Sequence, residues 1–116
     1  MEIIGIGTDI VEVQRIAEFA ENSAALIRIF SEAEIDYCLS KKNRYEHFAV
    51  RFAAKEAVYK ALPFDGVALK KIEVHNECTG APIIVFDDPR AKDLDIKISL
   101  SHTKKYATAV ALITKK

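Results

Sequence analysis

Between Tyr45 and Leu62 the chain places Ala49, Ala53, Ala57 and Ala61 at four-residue steps, with Phe48 and Phe52 beside them. That spacing predicts a helix, because residues three and four apart share one helical face. Alanine strips the face of bulk, so a second backbone can pack very close to it. Such a helix is central rather than peripheral, and its polar residues are confined to a narrow face. Pro63 ends it, since proline lacks an amide hydrogen and clashes with the preceding turn.

The flanking segments supply the partner surface. Ile3 to Asp9 is β-branched and punctuated by Gly5 and Gly7, which predicts a short buried strand that stops at Asp9 and admits close backbone approach. Val13, Ile16, Ala17 and Ala20 then form a helical stripe that frays near Asn22-Ser23. Ser31 with Glu34 three residues on is a capping box, so a short helix is expected from Glu32 to about Leu39, followed by a polar loop from Ser40 to Arg44. Beyond Gly66 the period changes to two. Ile72 and Val74, a Thr79-Gly80 turn and Ile83 to Phe86 predict a hairpin. Asp88-Pro89 caps a short helix through about Leu94. Ile96, Ile98 and Leu100 alternate with polar residues as a half-buried strand that delivers Ser101-His102-Thr103 into a turn, and Tyr106 to Thr114 is a last strand. Helices gathered in the first half and strands in the second define an α+β fold, a long central helix packed on an antiparallel sheet.

At 116 residues the chain has room for one core, so one domain is expected over 1–116. Basic and acidic residues balance at 17 each, which argues against a nucleic-acid binder that must displace counterions from phosphates. No apolar run approaches the ~20 residues of a membrane span. The N-terminal segment lacks the basic and apolar regions of a secretory signal, and Cys38 and Cys78 follow no metal or disulfide spacing, so a cytoplasmic protein with two buried cysteines is expected.

Candidate chemistry sits in three places. On the central helix, Glu56 and Lys60 share one face while Arg51 and Lys55 share an adjacent one; by spacing alone the first two are an exposed ion pair worth a few tenths of a kcal/mol. Asp9 is either a helix N-cap or, with Glu56, half of a carboxylate pair able to hold one Mg²⁺ beside water and phosphate oxygens. His102, between Ser101 and Thr103, either caps a turn or offers donors to a phosphate. No Walker A loop, GxGxxG fingerprint, GxSxG elbow or HExxH helix is present.

Taken together, Gly5-Ile6-Gly7-Thr8-Asp9-Ile10, Arg51-Phe52-Ala53-Ala54-Lys55-Glu56-Ala57 through Lys60, and Ile98-Ser99-Leu100-Ser101-His102-Thr103 closely resemble the holo-acyl-carrier-protein synthases, the small 4'-phosphopantetheinyl transferases. The resemblance covers nearly the whole chain. It implies transfer of phosphopantetheine from coenzyme A to a serine of apo acyl carrier protein in fatty acid biosynthesis, with release of adenosine 3',5'-bisphosphate. By motif position it implies that Asp9 and Glu56 bind Mg²⁺ with the pyrophosphate, and that Lys60 serves the pyrophosphate and leaving group. Arg51, His102 and Thr103 match positions that hold the 3'-phosphate of the nucleotide.

The resemblance further implies a homotrimer with sites between subunits. It places Arg15 at a docking position for the acidic carrier protein. Arg28 is a further basic candidate, and the run Lys41, Lys42, Arg44 is either another or, more simply, a solvated loop. Two departures stand out. Many relatives carry a glycine-rich loop after the central helix, where this chain has Pro63-Phe64-Asp65-Gly66; and several basic residues of relatives between Ala20 and Ile29 are reduced here to Arg28. Two other readings compete, a noncatalytic coenzyme A or nucleotide binder on the same fold and a structural oligomer.

Overall fold

The computed structural model describes residues 1–116. Strand β1 (Ile3–Glu12) leads into helices α1 (Val13–Ala20), α2 (Ser23–Ile29), α3 (Glu32–Leu39) and the long α4 (Arg44–Ala61). A hairpin of β2 (Glu73–Asn76) and β3 (Pro82–Val85) follows, then β4 (Leu94–His102) and β5 (Tyr106–Lys115). The main sheet has the order β1-β5-β4, antiparallel throughout, and β2-β3 forms a separate two-stranded sheet. This is the expected α+β architecture with a helix on an antiparallel sheet.

α4 lies on one face of the main sheet because both partners are stripped of bulk. On the strands Ala107, Ala109 and Ala111 are buried, and on the helix Ala53, Ala54, Ala57 and Ala61 are buried. Gly5 and Gly7 complete the fit: a Cβ on either would overlap the helix backbone at Ala61 and Ala57 respectively. The N-terminal half of α4 packs against the other helices through Phe48, Ala49 and Val50, with Phe30 set edge-on to Phe48 at 5.2 Å between ring centres. An aromatic pair of that geometry contributes about 0.5–1.5 kcal/mol beyond its burial.

Several expectations are corrected. β1 does not stop at Asp9, because Ile10, Val11 and Glu12 continue the ladder opposite Thr108, Ala107 and Tyr106. Asp9 is therefore a mid-strand residue and not a helix N-cap. The fraying at Asn22 is instead the start of α2, where the Asn22 side chain accepts a hydrogen bond from Ala25 N at 3.1 Å and so caps it. The helix at Pro89 is a single 3-10 turn ending at Ala91, because Leu94 already pairs with Lys115. Ser101 and His102 are the last residues of β4, so only Thr103 enters the turn. Cys38 is buried as expected, but Cys78, at the tip of the β2-β3 hairpin, is exposed.

The polar residues of α4 are not all on a solvated face either. Lys55 is 0% exposed and Arg51 4%. Lys55 Nζ lies 2.7 Å from Glu34 Oε1 and donates to the Ile72 and Leu69 carbonyls at 2.7 and 3.0 Å. Glu34, inside its capping box with Ser31, also accepts from Val74 N at 2.9 Å. One buried ion pair thus ties α3, α4 and β2 together.

Candidate active site

The close approach of α4 to β1 decides what surrounds Asp9. In β1 alternate residues face opposite sides; Gly5, Gly7, Asp9 and Val11 face α4, while Ile6, Thr8 and Ile10 face away and are exposed. With no side chains between the backbones at Gly7, the next turn of α4 brings Lys60 across to the strand. Its ammonium donates to Asp9 Oδ1 and to the Thr8 carbonyl, both at 3.0 Å. Lys60 therefore pairs with Asp9 and not with Glu56, which corrects the exposed i,i+4 pair.

Asp9 and Glu56 line one cavity of about 460 Å³, together with Arg15, Phe52 and Leu69. Partial burial pushes the Glu56 pKa above its ordinary 4.5, the Asp9 charge pushes it further, and Lys60 offsets only part of this. Two carboxylates, one of them held by the Lys60 ammonium, share this cavity with the Arg15 guanidinium. Their oxygens are hard donors, and no third Asp, Glu, His or Cys joins them to make an all-protein cage. A pair of that kind fits Mg²⁺, which keeps its other positions for water and phosphate.

A second cavity, of about 340 Å³, collects Arg51, His102, His47, Tyr37 and Asn76. Arg51 Nη2 donates to Asn76 Oδ1 at 2.6 Å, its guanidinium sits 4.1 Å over the Tyr37 ring, and its buried Nε has no partner. An unsatisfied buried guanidinium donor costs stability, and a guanidinium lining a cavity is a charged, forked donor suited to an anion. Glu46 Oε1 lies 2.9 Å from His102 Nδ1. An ionised carboxylate only accepts, so Nδ1 carries the hydrogen and Nε2 is left free.

Thr103 does not join this cavity through its side chain. Its hydroxyl oxygen accepts from Lys105 N at 3.2 Å and Tyr106 N at 3.1 Å, which caps the β4-β5 turn. Arg15 lies beside the carboxylates, whereas Arg28 is exposed in the last turn of α2. Lys42 and Arg44 are exposed, and Lys41 stands 4.8 Å over the Tyr37 ring. The sequence reading missed Tyr37, Glu46 and His47, on the consecutive helices α3 and α4, and Asn76, on the distant β2. It also missed the Glu34-Lys55 pair, although Ala54, Val58 and Leu62 around Lys55 marked that stripe of α4 as buried.

A family model described as the 4'-phosphopantetheinyl transferase superfamily matches residues 5–111. The chain belongs to that superfamily. Among its relatives are a holo-[acyl-carrier-protein] synthase of Thermodesulfovibrio yellowstonii, 44% identical over 97% of this chain and 99% of that one, and one of Chlamydia pneumoniae, 46% identical over 97% and 98%. The fold matches a crystal structure of a holo-(acyl-carrier-protein) synthase from Bacillus anthracis in complex with CoA (3',5'-ADP), with a TM-score of 0.88 and 33% identity over the whole of both chains.

Proposed function

We propose that this protein is a holo-acyl-carrier-protein synthase, which moves 4'-phosphopantetheine from coenzyme A to a serine of apo acyl carrier protein and releases adenosine 3',5'-bisphosphate, in fatty acid biosynthesis. The observation that carries the reading is the meeting of Asp9, Glu56 and Lys60 at one place, with a separate cationic cavity around Arg51. Relatives over nearly the full chain carry that name, and one was solved with the nucleotide.

In this reading Asp9 and Glu56 hold Mg²⁺ against the pyrophosphate. The ion, when bound, neutralises charge that builds on the phosphoryl oxygens as the serine attacks. Lys60 contributes the second positive charge: its side chain is 51% exposed, and with two N–H groups on Asp9 and the Thr8 carbonyl its ammonium keeps a third for the leaving phosphate. Arg51 donates to the 3'-phosphate with His102 beside it, and Thr103 fixes the turn behind His102. Arg15, next to the carboxylates, and Arg28 meet the acidic carrier protein.

The two cavities fit the expected homotrimer, in which one subunit supplies the carboxylates and its neighbour the nucleotide cavity. The sheet face turned away from α4 supports this, since Ile6 and Ile10 are more than half exposed with Val110 beside them. The full reading is one transferase domain over 1–116, working in the cytoplasm. A noncatalytic coenzyme A binder is the competing reading, and a carboxylate pair with an adjacent lysine gives it no use.

Chromatography of the nucleotide products tests this. Adenosine 3',5'-bisphosphate is expected only when coenzyme A, apo carrier protein and Mg²⁺ are all present. Coenzyme A binding without any bisphosphate release, across several carrier proteins, selects the binder instead.

A further inference from the structure

The Arg51 cavity contains an ionisable group that the reading above does not use. His47 lies one helical turn before Arg51 on α4, so the two share a face, and both line the cavity. Its ring centre is 6.0 Å from that of His102 on β4, and 5.7 Å, edge-on, from that of Tyr37 on α3. The charged groups around it are Arg51 and Glu46 on its own helix, Lys41 after α3 and His102 on β4. Glu46 is already engaged by His102, so three cationic or basic groups surround His47 with no carboxylate of its own.

We infer that His47 is a proton-gathering recognition residue of this cavity: it stays neutral while the cavity is empty and takes up a proton when a phosphomonoester dianion enters beside Arg51 and His102. This rests on reading the cavity as the 3'-phosphate site. Burial holds the His47 pKa below its ordinary 6.5, and Arg51, His102 and Lys41 push it the same way, with Glu46 alone opposing. An incoming dianion reverses the sign of the local field, so protonation and binding favour each other. Affinity for the phosphomonoester then rises as pH falls through the range where the imidazole titrates, above the phosphate's own second pKa of about 6.

Calorimetry in buffers of different ionisation enthalpy counts the protons taken up. Coenzyme A and 3'-dephospho-coenzyme A are compared on wild type, His47→Phe, His47→Gln and His102→Asn, each checked for an unchanged melting temperature. At pH 6.5 wild type is expected to take up a proton with coenzyme A but not with the dephospho form, and to bind coenzyme A about three- to tenfold more tightly than at pH 8.5. Both His47 variants lose the uptake and most of the pH dependence. Uptake that persists in both His47 variants, or disappears only in His102→Asn, overturns the inference. It is also overturned if wild type prefers coenzyme A with no proton uptake. Equal binding of the two nucleotides at every pH overturns the 3'-phosphate reading itself, and is distinguishable for that reason.

Discussion

Gly7 on β1 and Ala57 on α4 meet backbone to backbone: a Cβ on Gly7 would overlap the Ala57 carbonyl, and Gly5 repeats the relation with Ala61. This contact sets the distance between the strand that carries Asp9 and the helix that carries Glu56 and Lys60. Gly7→Ala therefore forces the helix off the strand. The expected cost is about 1–3 kcal/mol from overpacking, read by urea unfolding. Transfer activity is expected to fall further than the folded fraction does, because the Lys60-Asp9 bond at 3.0 Å opens with the same movement.

Lys60 is assigned to charge that develops during transfer. Lys60→Ala is expected to lower kcat about a hundredfold, with the KM for coenzyme A moving far less. Steady-state kinetics at saturating carrier protein reads the split; a raised KM with unchanged kcat contradicts the assignment.

The raised Glu56 pKa gives a stability prediction for the metal-free protein. Its causes are burial first and the Asp9 charge second. A carboxyl whose folded pKa lies above its unfolded value binds protons preferentially in the folded state. Wild-type stability therefore falls as pH rises from 4.5 through the folded value. Glu56→Gln lacks this penalty. In EDTA it is expected to melt above wild type at pH 7, with the difference vanishing toward pH 4, while being inactive. Melting curves at both pH values check the sign.

The buried Glu34-Lys55 pair stabilises only as a pair. Removing one partner strands the other charge out of water, so Glu34→Gln or Lys55→Met is expected to cost about 3–5 kcal/mol. The double variant is expected to cost less than the sum of the two, because neither charge is left alone. Denaturant unfolding at fixed protein concentration measures all three.

The cysteines differ in the same way. Burial pushes the Cys38 thiol up to about 12, while Cys78 is exposed. Thiol titration of the native protein is expected to modify Cys78 alone, and Cys38 only after unfolding.

Much of the fold was legible in the sequence because its signals are local. The alanine ladder of α4, the Ser31-Glu34 capping box and the alternation in β4 each depend on residues a few positions apart, and each is observed. What was not legible depends on tertiary partners. The length of β1 past Asp9 is set by its ladder with β5, and the choice of Asp9 over Glu56 by Lys60 is set by Gly7. Spacing could bring Arg51 and Lys55 onto one face, but not show that Asn76 and Tyr37 receive one and Glu34 the other. The three motifs carried the site by resemblance to a family, which supplied the pairing of Asp9 with Glu56 that periodicity could not.

The central claim is that Asp9 and Glu56 together support transfer of phosphopantetheine to the carrier protein. Intact-mass analysis of apo acyl carrier protein, after incubation with coenzyme A, Mg²⁺ and this protein, tests it most directly. A gain of one phosphopantetheine is expected with wild type, and none with Asp9→Ala, Glu56→Ala or EDTA. No gain with wild type, or an undiminished gain in either variant, contradicts it.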